Sequence, residues 1–190
     1  MKRSLGQLRI IGGEWRSRIV DFDPDVGVRP TPDRVRQTLF DWLAPRIEGA
    51  RCLDLFAGSG AIGLEALSRG AGHVTFVETG AKQAQSIQAA LGKLGAGLRG
   101  EVVQRDALGF LASEGPGYDV AFLDPPFDAA LLAPALAALP RVLKPGARVY
   151  AEWHKAGTVP WPAGYELIRE KKAGQVSYAL ATFSGNGKPE

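Results

Sequence analysis

Residues 54–63 read Asp-Leu-Phe-Ala-Gly-Ser-Gly-Ala-Ile-Gly and give the clearest indication of the fold. They begin inside an apolar run, Arg51–Phe56, that predicts a buried strand, and they lead into a helix predicted over Gly60–Ser68. Glycines between a strand and a helix allow a sharp turn and a close backbone approach to a ligand. The spacing of Gly58, Gly60 and Gly63 matches the dinucleotide-binding fingerprint, which by itself does not identify the ligand.

The same alternation of strand and helix continues along the chain. Four further apolar runs predict strands, over His73–Glu78, Glu101–Asp106, Tyr118–Asp124 and Ala147–Trp153. Two last strands, Tyr165–Lys171 and Val176–Phe183, flank a turn at Ala173-Gly174 and are expected to pair antiparallel. Alternating strands and helices predict an α/β fold with a doubly wound, Rossmann-like sheet of seven strands, mostly parallel and with an antiparallel C-terminal strand.

An N-terminal extension precedes this α/β region. Gln7–Gly13 and Arg16–Phe22 are predicted to form a β-hairpin, and Thr31-Pro32-Asp33 has the composition of a helix start in which Thr31 is the cap. We therefore expect residues 1–45 to form a hairpin-and-helix extension and residues 46–184 to form the main domain. Residues 185–190 are expected to be a frayed polar tail.

Basic residues are concentrated in the extension. The chain of 190 residues has a net charge of +3, but residues 1–20 carry Lys2 and four arginines against only Glu14. Such a segment can hold the phosphates of a nucleic acid, although a solvated basic terminus has the same composition.

The composition disfavours several classes of protein. Cys52 is the only cysteine, so there is no disulfide framework, and no apolar stretch is long enough to span a membrane. The first residues lack the hydrophobic core of a signal peptide. His73 and His154 have no metal-ligand partners nearby in the sequence, so we predict no metal site. The expectation is a cytoplasmic protein without a membrane contact.

A second informative segment is Asp124-Pro125-Pro126-Phe127, at the end of the strand predicted over Tyr118–Asp124. Proline has no N–H to donate to a sheet ladder, so the chain must leave the sheet here, at the edge where open α/β sheets bind ligands. The turn then holds the Asp124 carboxylate, the Pro125 carbonyl and the Phe127 ring in fixed relative positions. Two acceptors beside a flat apolar ring suit a planar group that carries an NH₂, and we interpret the segment as a site for a nucleic-acid base.

Acidic residues end three successive predicted strands. Asp54 lies before the glycines, where it would repel a diphosphate but attract the ammonium group of an amino acid moiety. Glu78 is placed to accept both hydroxyls of a ribose, and Asp106 to accept from an adenine amine. Together they predict S-adenosylmethionine as the cofactor, although Asp54 and Asp106 have a second interpretation as helix caps. The predicted cofactor-binding residues are Asp54, Phe56, Gly58, Gly60, Glu78, Asp106 and Ala107.

Most of the chain, from about residue 7 to 183, resembles the RsmD family of class I methyltransferases. The segments that carry the resemblance are Arg9–Arg16, Arg29–Leu43, Leu53–Gly70 and Arg169–Val176. The resemblance implies the class I methyltransferase fold and methylation of the N2 amine of one guanine in bacterial small-subunit (16S) ribosomal RNA. It also implies that the catalytic residues are Asp124, Pro125, Pro126 and Phe127. Hydrogen bonds from the amine to Asp124 and to the Pro125 carbonyl would aim the nitrogen lone pair at the methyl group, after which Asp124 or water takes the proton.

The resemblance further implies that the N-terminal hairpin binds RNA and that the start of the following helix lines the cleft. The predicted RNA-binding residues are Arg9, Arg16 and Arg18 on the hairpin and Arg29, Thr31 and Arg34 near the helix start. The expected partner is 16S ribosomal RNA within a small ribosomal subunit or an assembly intermediate, and the enzyme is expected to be a monomer.

Three other interpretations stay open at this point. The interpretation as an NAD-dependent dehydrogenase explains the glycines and Glu78 but gives Asp54 and the segment Asp124–Phe127 no role. A non-catalytic RNA-binding module explains the basic extension but not Asp124. Similar loops also serve adenine, cytosine and glutamine amines, and only the family resemblance selects guanine.

Overall fold

The computed structural model describes residues 4–24, 29–113, 115–126, 130–159 and 161–185. The strands in these ranges are β1 (Gly6–Arg9), β2 (Ile19–Phe22), β3 (Arg51–Asp54), β4 (His73–Glu78), β5 (Gly100–Gln104), β6 (Tyr118–Leu123), β7 (Leu143–His154), β8 (Tyr165–Ala173) and β9 (Val176–Phe183). The helices are α1 (Asp33–Leu43), α2 (Ala61–Ser68), α3 (Ala81–Lys93), α4 (Ala107–Leu111) and α5 (Leu132–Ala138), with a 3₁₀ turn at Leu139–Arg141.

Seven strands form one sheet in the order β5-β4-β3-β6-β7-β9-β8, and β1 and β2 form a separate antiparallel pair. The pairs among β3 to β7 are parallel, whereas β9 pairs antiparallel with both β7 and β8. The predicted doubly wound sheet is therefore confirmed. The strand order reverses between β3 and β6, so the loops after these two strands open a crevice at the carboxyl edge of the sheet.

Two apolar layers cover the two faces of the sheet, because successive side chains of a strand point to opposite faces. Phe122 of β6 packs in the layer that contains residues of the hairpin, α1, α2 and α3. Its neighbours Ala121 and Leu123 pack in the layer that contains α4 and α5. Asp124 lies two residues beyond Phe122 and therefore faces the same side as α1.

The N-terminal hairpin is confirmed, but its strands are shorter than the prediction of Gln7–Gly13 and Arg16–Phe22. The residues between β1 and β2 turn and dock on the end of α2. The N–H of Glu14 donates to the Ser68 carbonyl at 2.7 Å, and the N–H of Trp15 donates to Ser68 Oγ at 2.9 Å. The N–H groups of Ile11 and Gly12, which a longer β1 would use in its ladder, donate to the Glu65 carboxylate instead.

A buried group of charged residues attaches the extension to α2. Glu65 is fully buried and accepts the N–H groups of Ile11 and Gly12 at 3.0 and 2.9 Å. Arg36 of α1, itself buried, places Nη1 3.3 Å from Glu65 Oε2, and Arg69 places Nε 2.9 Å from Glu65 Oε1. The extension is thus held to the main domain by charge-assisted hydrogen bonds, which are stronger than neutral ones.

Arg36 also orders the segment before α1, because its Nε donates to the Thr31 carbonyl at 3.0 Å. The prediction that Thr31 caps this helix is wrong. The N-cap residue is Pro32, and no side chain caps the helix. The Thr31 hydroxyl instead turns to the carboxyl groups of Asp124 and Glu152.

Two parts of the predictions, the Phe127 ring and residues 186–190 of the tail, lie outside the described residues. Within the ranges described above, no helix is long and apolar enough to cross a membrane. The same ranges contain no group of three or more His, Cys, Asp or Glu side chains suited to a metal ion. The division of the chain at residues 45 and 46 stays a prediction, and residues on both sides of it share one apolar layer.

Candidate active site at the carboxyl edge of the sheet

A cleft of about 660 Å³ opens where the chain leaves β3, β4 and β6. Pockets for small molecules and cofactors have volumes of roughly 300–1,000 Å³. Residues from the predicted site that line the cleft are Arg29, Thr31, Asp54, Phe56, Gly58, Glu78, Asp106, Ala107, Asp124, Pro125 and Pro126. The fold therefore brings the glycine loop and the Asp124 segment into one cavity.

The glycine loop adopts backbone conformations that favour glycine. Gly58 and Gly60 have φ angles of 55° and 80°, in the left-handed region. Gly63 has a different task, because a Cβ atom there would collide with the ring of Phe76 on β4. Two of the glycines thus shape the turn, and the third allows α2 to pack closely on the sheet.

Asp54 ends β3 and is buried beneath this loop. Its Oδ2 accepts the N–H of Gly63 at 3.0 Å. Burial raises the pKa of Asp54 to about 7, the Gly63 hydrogen bond opposes this shift, and the negative charges of Asp124 and Glu78 add to it. A cationic group bound in the cleft would therefore stabilise the ionised form of Asp54.

Glu78 ends β4 and holds the glycine loop by backbone hydrogen bonds. Its Oε2 accepts the N–H of Gly58 at 2.6 Å, and its Oε1 accepts the N–H of Gly80 at 2.9 Å. Each carboxylate oxygen has more than one acceptor position, so these bonds leave capacity for a ligand. Glu78 therefore fixes the loop and still lines the cleft.

Asp106 is the N-cap of α4, where its Oδ1 accepts the N–H of Gly109 at 2.7 Å. Asp54 likewise accepts an N–H from the first turn of α2. The helix-cap interpretation is thus observed for Asp106, whereas the N-cap residue of α2 is Gly60 and Asp54 bonds the first turn of that helix from the end of β3. Asp106 also lies exposed on the cleft wall beside Ala107, so its role in cofactor binding stays a prediction.

Asp124 meets two polar side chains that the sequence prediction did not connect with it. Thr31 Oγ1 lies 3.1 Å from Asp124 Oδ2 and 3.2 Å from Glu152 Oε2. Phe122 pairs with Tyr150 in the parallel register of β6 and β7. The residues two positions further along, Asp124 and Glu152, therefore lie side by side on the same face of the sheet.

Burial raises the pKa of both carboxyl groups. The pKa of Asp124 is raised to about 6 by burial, while hydrogen bonds with Glu152 and Thr31 oppose the shift. The pKa of Glu152 is raised well above its usual value, first by burial and then by the negative charge of Asp124. Burial and mutual repulsion therefore disfavour a state in which both carboxyl groups are ionised.

Comparisons with known proteins identify the family of the chain. A family model described as "Conserved hypothetical protein 95" matches residues 8–182. A protein of Escherichia coli (strain K12) named "Ribosomal RNA small subunit methyltransferase D" is 45% identical over 188 residues, which cover 97% of this chain and 94% of that protein. The chain belongs to the RsmD family.

Two solved structures share the fold of this RsmD-family chain. The structure described as a putative methyltransferase yhhF from Escherichia coli has a TM-score of 0.86 at 46% identity and covers 95% of this chain and 100% of that one. The putative methylase HI0767 from Haemophilus influenzae has a TM-score of 0.81 at 40% identity and covers 94% of this chain and 99% of that one. The family and the class I methyltransferase fold expected from the sequence are confirmed.

The residues predicted near the helix start of this RsmD-family chain separate into two groups. Arg29 and Thr31 line the cleft. Arg34 is exposed on the first turn of α1 and is not among the residues that line the cavity. A contact of Arg34 with RNA therefore remains a prediction for the surface outside the cleft.

The three hairpin arginines, Arg9, Arg16 and Arg18, are exposed. Arg18 also has a structural contact, because its Nη2 donates to the carbonyl of Lys93 at 3.1 Å. Lys93 Nζ donates in turn to the Ile19 carbonyl at 2.9 Å, so the hairpin is attached to the end of α3. The predicted RNA contacts of these arginines stay predictions.

Glu152 is the polar wall residue that the sequence prediction missed. It is 3% exposed and lines the cleft, yet it lies in the run Ala147–Trp153, which reads as an ordinary buried strand. An acidic side chain near the carboxyl end of a buried strand was the available signal, because a buried acid requires a partner. Its partner could not be read from the sequence, since the register of β6 and β7 decides it.

Proposed function

We propose that this RsmD-family protein transfers a methyl group from S-adenosylmethionine to the exocyclic N2 amine of a specific guanine in small-subunit (16S) ribosomal RNA. The observation that carries the proposal is the position of Asp124. Its carboxyl group lies at the carboxyl end of β6, in the same cleft as Asp54 and Glu78. One part of the cleft thus suits a cationic cofactor, and the adjoining part suits an N–H donor.

The acidic wall of the cleft supports S-adenosylmethionine as the cofactor. Asp54 would bind the ammonium group, Glu78 the ribose hydroxyls, and Asp106 with Ala107 the adenine, with Phe56 and the glycine loop against its body. Bound there, the cofactor supplies an electrophilic methyl group on a sulfonium. The diphosphate of a nicotinamide cofactor would instead face the Asp54 carboxyl, whose pKa is raised first by burial and further by the negative charges of Asp124 and Glu78. This difference favours the methyl donor over the dinucleotide.

The Asp124 segment supports an amine as the acceptor of the methyl group. The Asp124 carboxylate and the Pro125 carbonyl would accept the two N–H bonds of the amine and favour a pyramidal nitrogen. These hydrogen bonds strengthen as positive charge develops on nitrogen, so they stabilise the transition state more than the bound substrate. Phe127 would stack on the base, a contact that contributes about 1–3 kcal/mol in single-strand binders.

The names of the relatives support ribosomal RNA as the substrate. The 45% identical Escherichia coli protein is named for methylation of small-subunit ribosomal RNA. Exposed arginines on the hairpin, and Arg29 at the cleft, suit phosphate contacts. The target nucleotide must be unpaired or flipped, since a base inside a helix cannot reach a cleft of this kind.

The choice of guanine rests on the family resemblance, because a site with two acceptors also suits adenine, cytosine or glutamine amines. The partner is proposed on the same ground: it is 16S ribosomal RNA in a small subunit or an assembly intermediate. The enzyme that methylates it is proposed to be a monomer. A substrate already shaped by ribosomal proteins suits a small enzyme with little surface for reading sequence.

The test is to incubate the protein and radiolabelled S-adenosylmethionine with small subunits from a strain that lacks it, and to map the labelled nucleotide. We expect label on the N2 atom of one guanine, and label on another base would overturn the choice of guanine.

Asp124→Ala should abolish transfer yet leave the cofactor affinity, measured by calorimetry, near normal. The matched control is Asp41→Ala, an exposed position on α1. Equal turnover in the Asp124 and Asp41 variants would contradict the proposed role of Asp124.

A further inference from the structure

The Thr31 hydroxyl reaches two carboxyl groups but has only one hydrogen. Its Oγ1 lies 3.1 Å from Asp124 Oδ2 and 3.2 Å from Glu152 Oε2. An ionised carboxylate only accepts hydrogen bonds, and a hydroxyl donates one and accepts others. Both contacts are hydrogen bonds only when one of the carboxyl groups carries a proton and donates it to Thr31.

The proximity of Asp124 and Glu152 leads to the same conclusion. The register of β6 and β7 places the two side chains side by side, and both lie within 3.2 Å of the same Thr31 oxygen. Two ionised carboxylates have no hydrogen to share and repel each other, so a pair in contact holds one proton. One acid and one carboxylate therefore satisfy the contacts among the three side chains.

The surroundings of Glu152 show which member holds the proton. Glu152 is 3% exposed and belongs to β7, between β6 and β9. The polar groups that face it are Asp124 from the end of β6, Thr31 from the segment before α1, Tyr150 on its own strand, and its register partner Tyr178 on β9. Among the described residues that act on the Glu152 carboxyl, none is cationic. Asp124 is half-buried at the cleft wall and retains access to ligands.

We propose that Glu152 is a positioning residue that acts as a neutral acid. It keeps its proton and, directly and through Thr31, holds the Asp124 carboxylate as the single anion that meets the substrate amine. The amine in this statement rests on the proposed function, whereas the shared proton rests on the contacts among the three side chains.

The arrangement also determines what happens to the proton of the amine. The nitrogen that gains a methyl group must lose one proton to become neutral. The N–H bond breaks, its electron pair stays on nitrogen, and the proton forms an O–H bond with Asp124. The pair then holds two protons and no charge, which is favourable in a buried site because burial disfavours charged forms. Release of one proton to water restores the starting state.

Two substitutions separate this role from a merely structural one. Glu152→Gln replaces the acid with a neutral amide of the same shape, which can still donate to Asp124, so kcat should stay within about threefold of wild type. Glu152→Ala removes the donor and should lower kcat about 30-fold or more while the KM for the cofactor is unchanged. The matched control is Glu166→Gln on β8, which is exposed. A loss of about 100-fold or more in a folded Glu152→Gln protein would show that the reaction needs an ionised Glu152, and would overturn the proposal.

A measurement on the wild-type protein tests the proton without any methyl transfer. The ¹³C chemical shift of the Glu152 carboxyl carbon, assigned through its backbone, is followed against pH in the absence of RNA and cofactor. We expect Glu152 to remain protonated at pH 7, where exposed glutamates with an ordinary pKa of about 4.3 are ionised. Ionisation of Glu152 together with the exposed glutamates would overturn the proposal. Because this result does not depend on the substrate, it is distinguishable from a failure of the proposed function.

Discussion

Thr31 Oγ1 and Asp124 Oδ2 lie 3.1 Å apart and join two parts of the chain that are separated by 93 positions. Thr31 belongs to the extension just before α1, and Asp124 directly follows β6. The position of Thr31 is fixed from the other side by Arg36, which donates to its carbonyl and pairs with Glu65 on α2. The extension therefore contributes Thr31 to the active-site wall.

Removal of the Thr31 hydroxyl should slow the reaction without weakening cofactor binding. Hydrogen bonds to charged groups contribute about 1.5–3 kcal/mol, so we expect Thr31→Val to lower kcat about tenfold or more. Steady-state methyl transfer with separate determination of kcat and of the cofactor KM is the measurement. Thr38→Val, a similar change on α1 away from the cleft lining, is the control. Equal kcat values for the two variants would show that the Thr31 bond is not used.

The activity should decrease as the pH falls through about 6. Asp124 has a pKa of about 6, so below that pH its carboxylate is protonated and no longer available as an acceptor. We expect kcat at saturating cofactor and RNA to rise from pH 5 to pH 7 and to level off above it, since kcat reports groups in the bound complex. Saturating cofactor separates this effect from the ionisation of Asp54, which would change cofactor binding. An acid limb near pH 4 would mean that Asp124 has an ordinary pKa in the complex.

Asp54 should destabilise the ligand-free protein at neutral pH. Its folded-state pKa of about 7 lies above the ordinary value of 3.8, so the folded state binds more protons between these pH values and stability falls as pH rises. A shift of this size corresponds to a destabilisation on the order of 4 kcal/mol. Asp54→Asn should therefore raise the free energy of unfolding at pH 7, and it should weaken cofactor binding. Urea unfolding of the variant and the wild-type protein at pH 5 and pH 7 measures the change in stability.

Asp119 provides a control of opposite sign for Asp54. Hydrogen bonds from the Arg51 N–H and from Lys144 hold the pKa of Asp119 below its usual value despite partial burial. A group with a lowered folded-state pKa contributes stability above its unfolded pKa and loses it as the pH falls. Asp119→Asn should therefore lower stability at pH 7. A stabilising effect of both substitutions would indicate a general charge effect and would contradict the assignment to Asp54.

The sheet and the cleft were predictable from the sequence because each depends on local patterns. The glycine loop, the acidic strand ends and the two prolines after Asp124 are all read along the chain, and the fold brings them to one edge. Two features were not predictable, because each depends on a contact between distant segments. The side-by-side position of Asp124 and Glu152 depends on the register of β6 and β7. The choice of Thr31 between capping α1 and binding Asp124 depends on how Arg36 orders the extension.

Glu65 should be essential for the attachment of the extension. It is fully buried and pairs with Arg36, which is also buried, and with Arg69. Removal of one partner of a buried ion pair destabilises a protein by about 3–5 kcal/mol, because the other charge is left uncompensated. We expect a loss of this size for Glu65→Ala in urea unfolding. The exposed control Glu166→Ala should change stability by no more than about 0.5 kcal/mol. A similar small effect of both substitutions would mean that the cluster does not hold the extension.

Arg16 should contribute to RNA affinity through phosphate contacts alone. Deletion of the hairpin cannot test this, because it would remove Leu8 and Trp15 from the apolar layer and unfold the surrounding structure. Arg16 is exposed, so Arg16→Ala changes the surface charge without that damage. We expect weaker binding to small-subunit RNA and a slope of log affinity against log salt that is smaller by about 1.

The control for Arg16 is Arg141→Ala, an exposed arginine in the 3₁₀ turn that precedes β7 and therefore lies at the opposite edge of the sheet from the cleft. Cofactor affinity, measured by calorimetry, should be the same in both variants. If Arg141→Ala changes the salt slope as much as Arg16→Ala does, the effect comes from net charge and the hairpin is not the RNA surface. If only Arg16→Ala changes it, the phosphate contact lies on the turn of the hairpin, which docks on the end of α2.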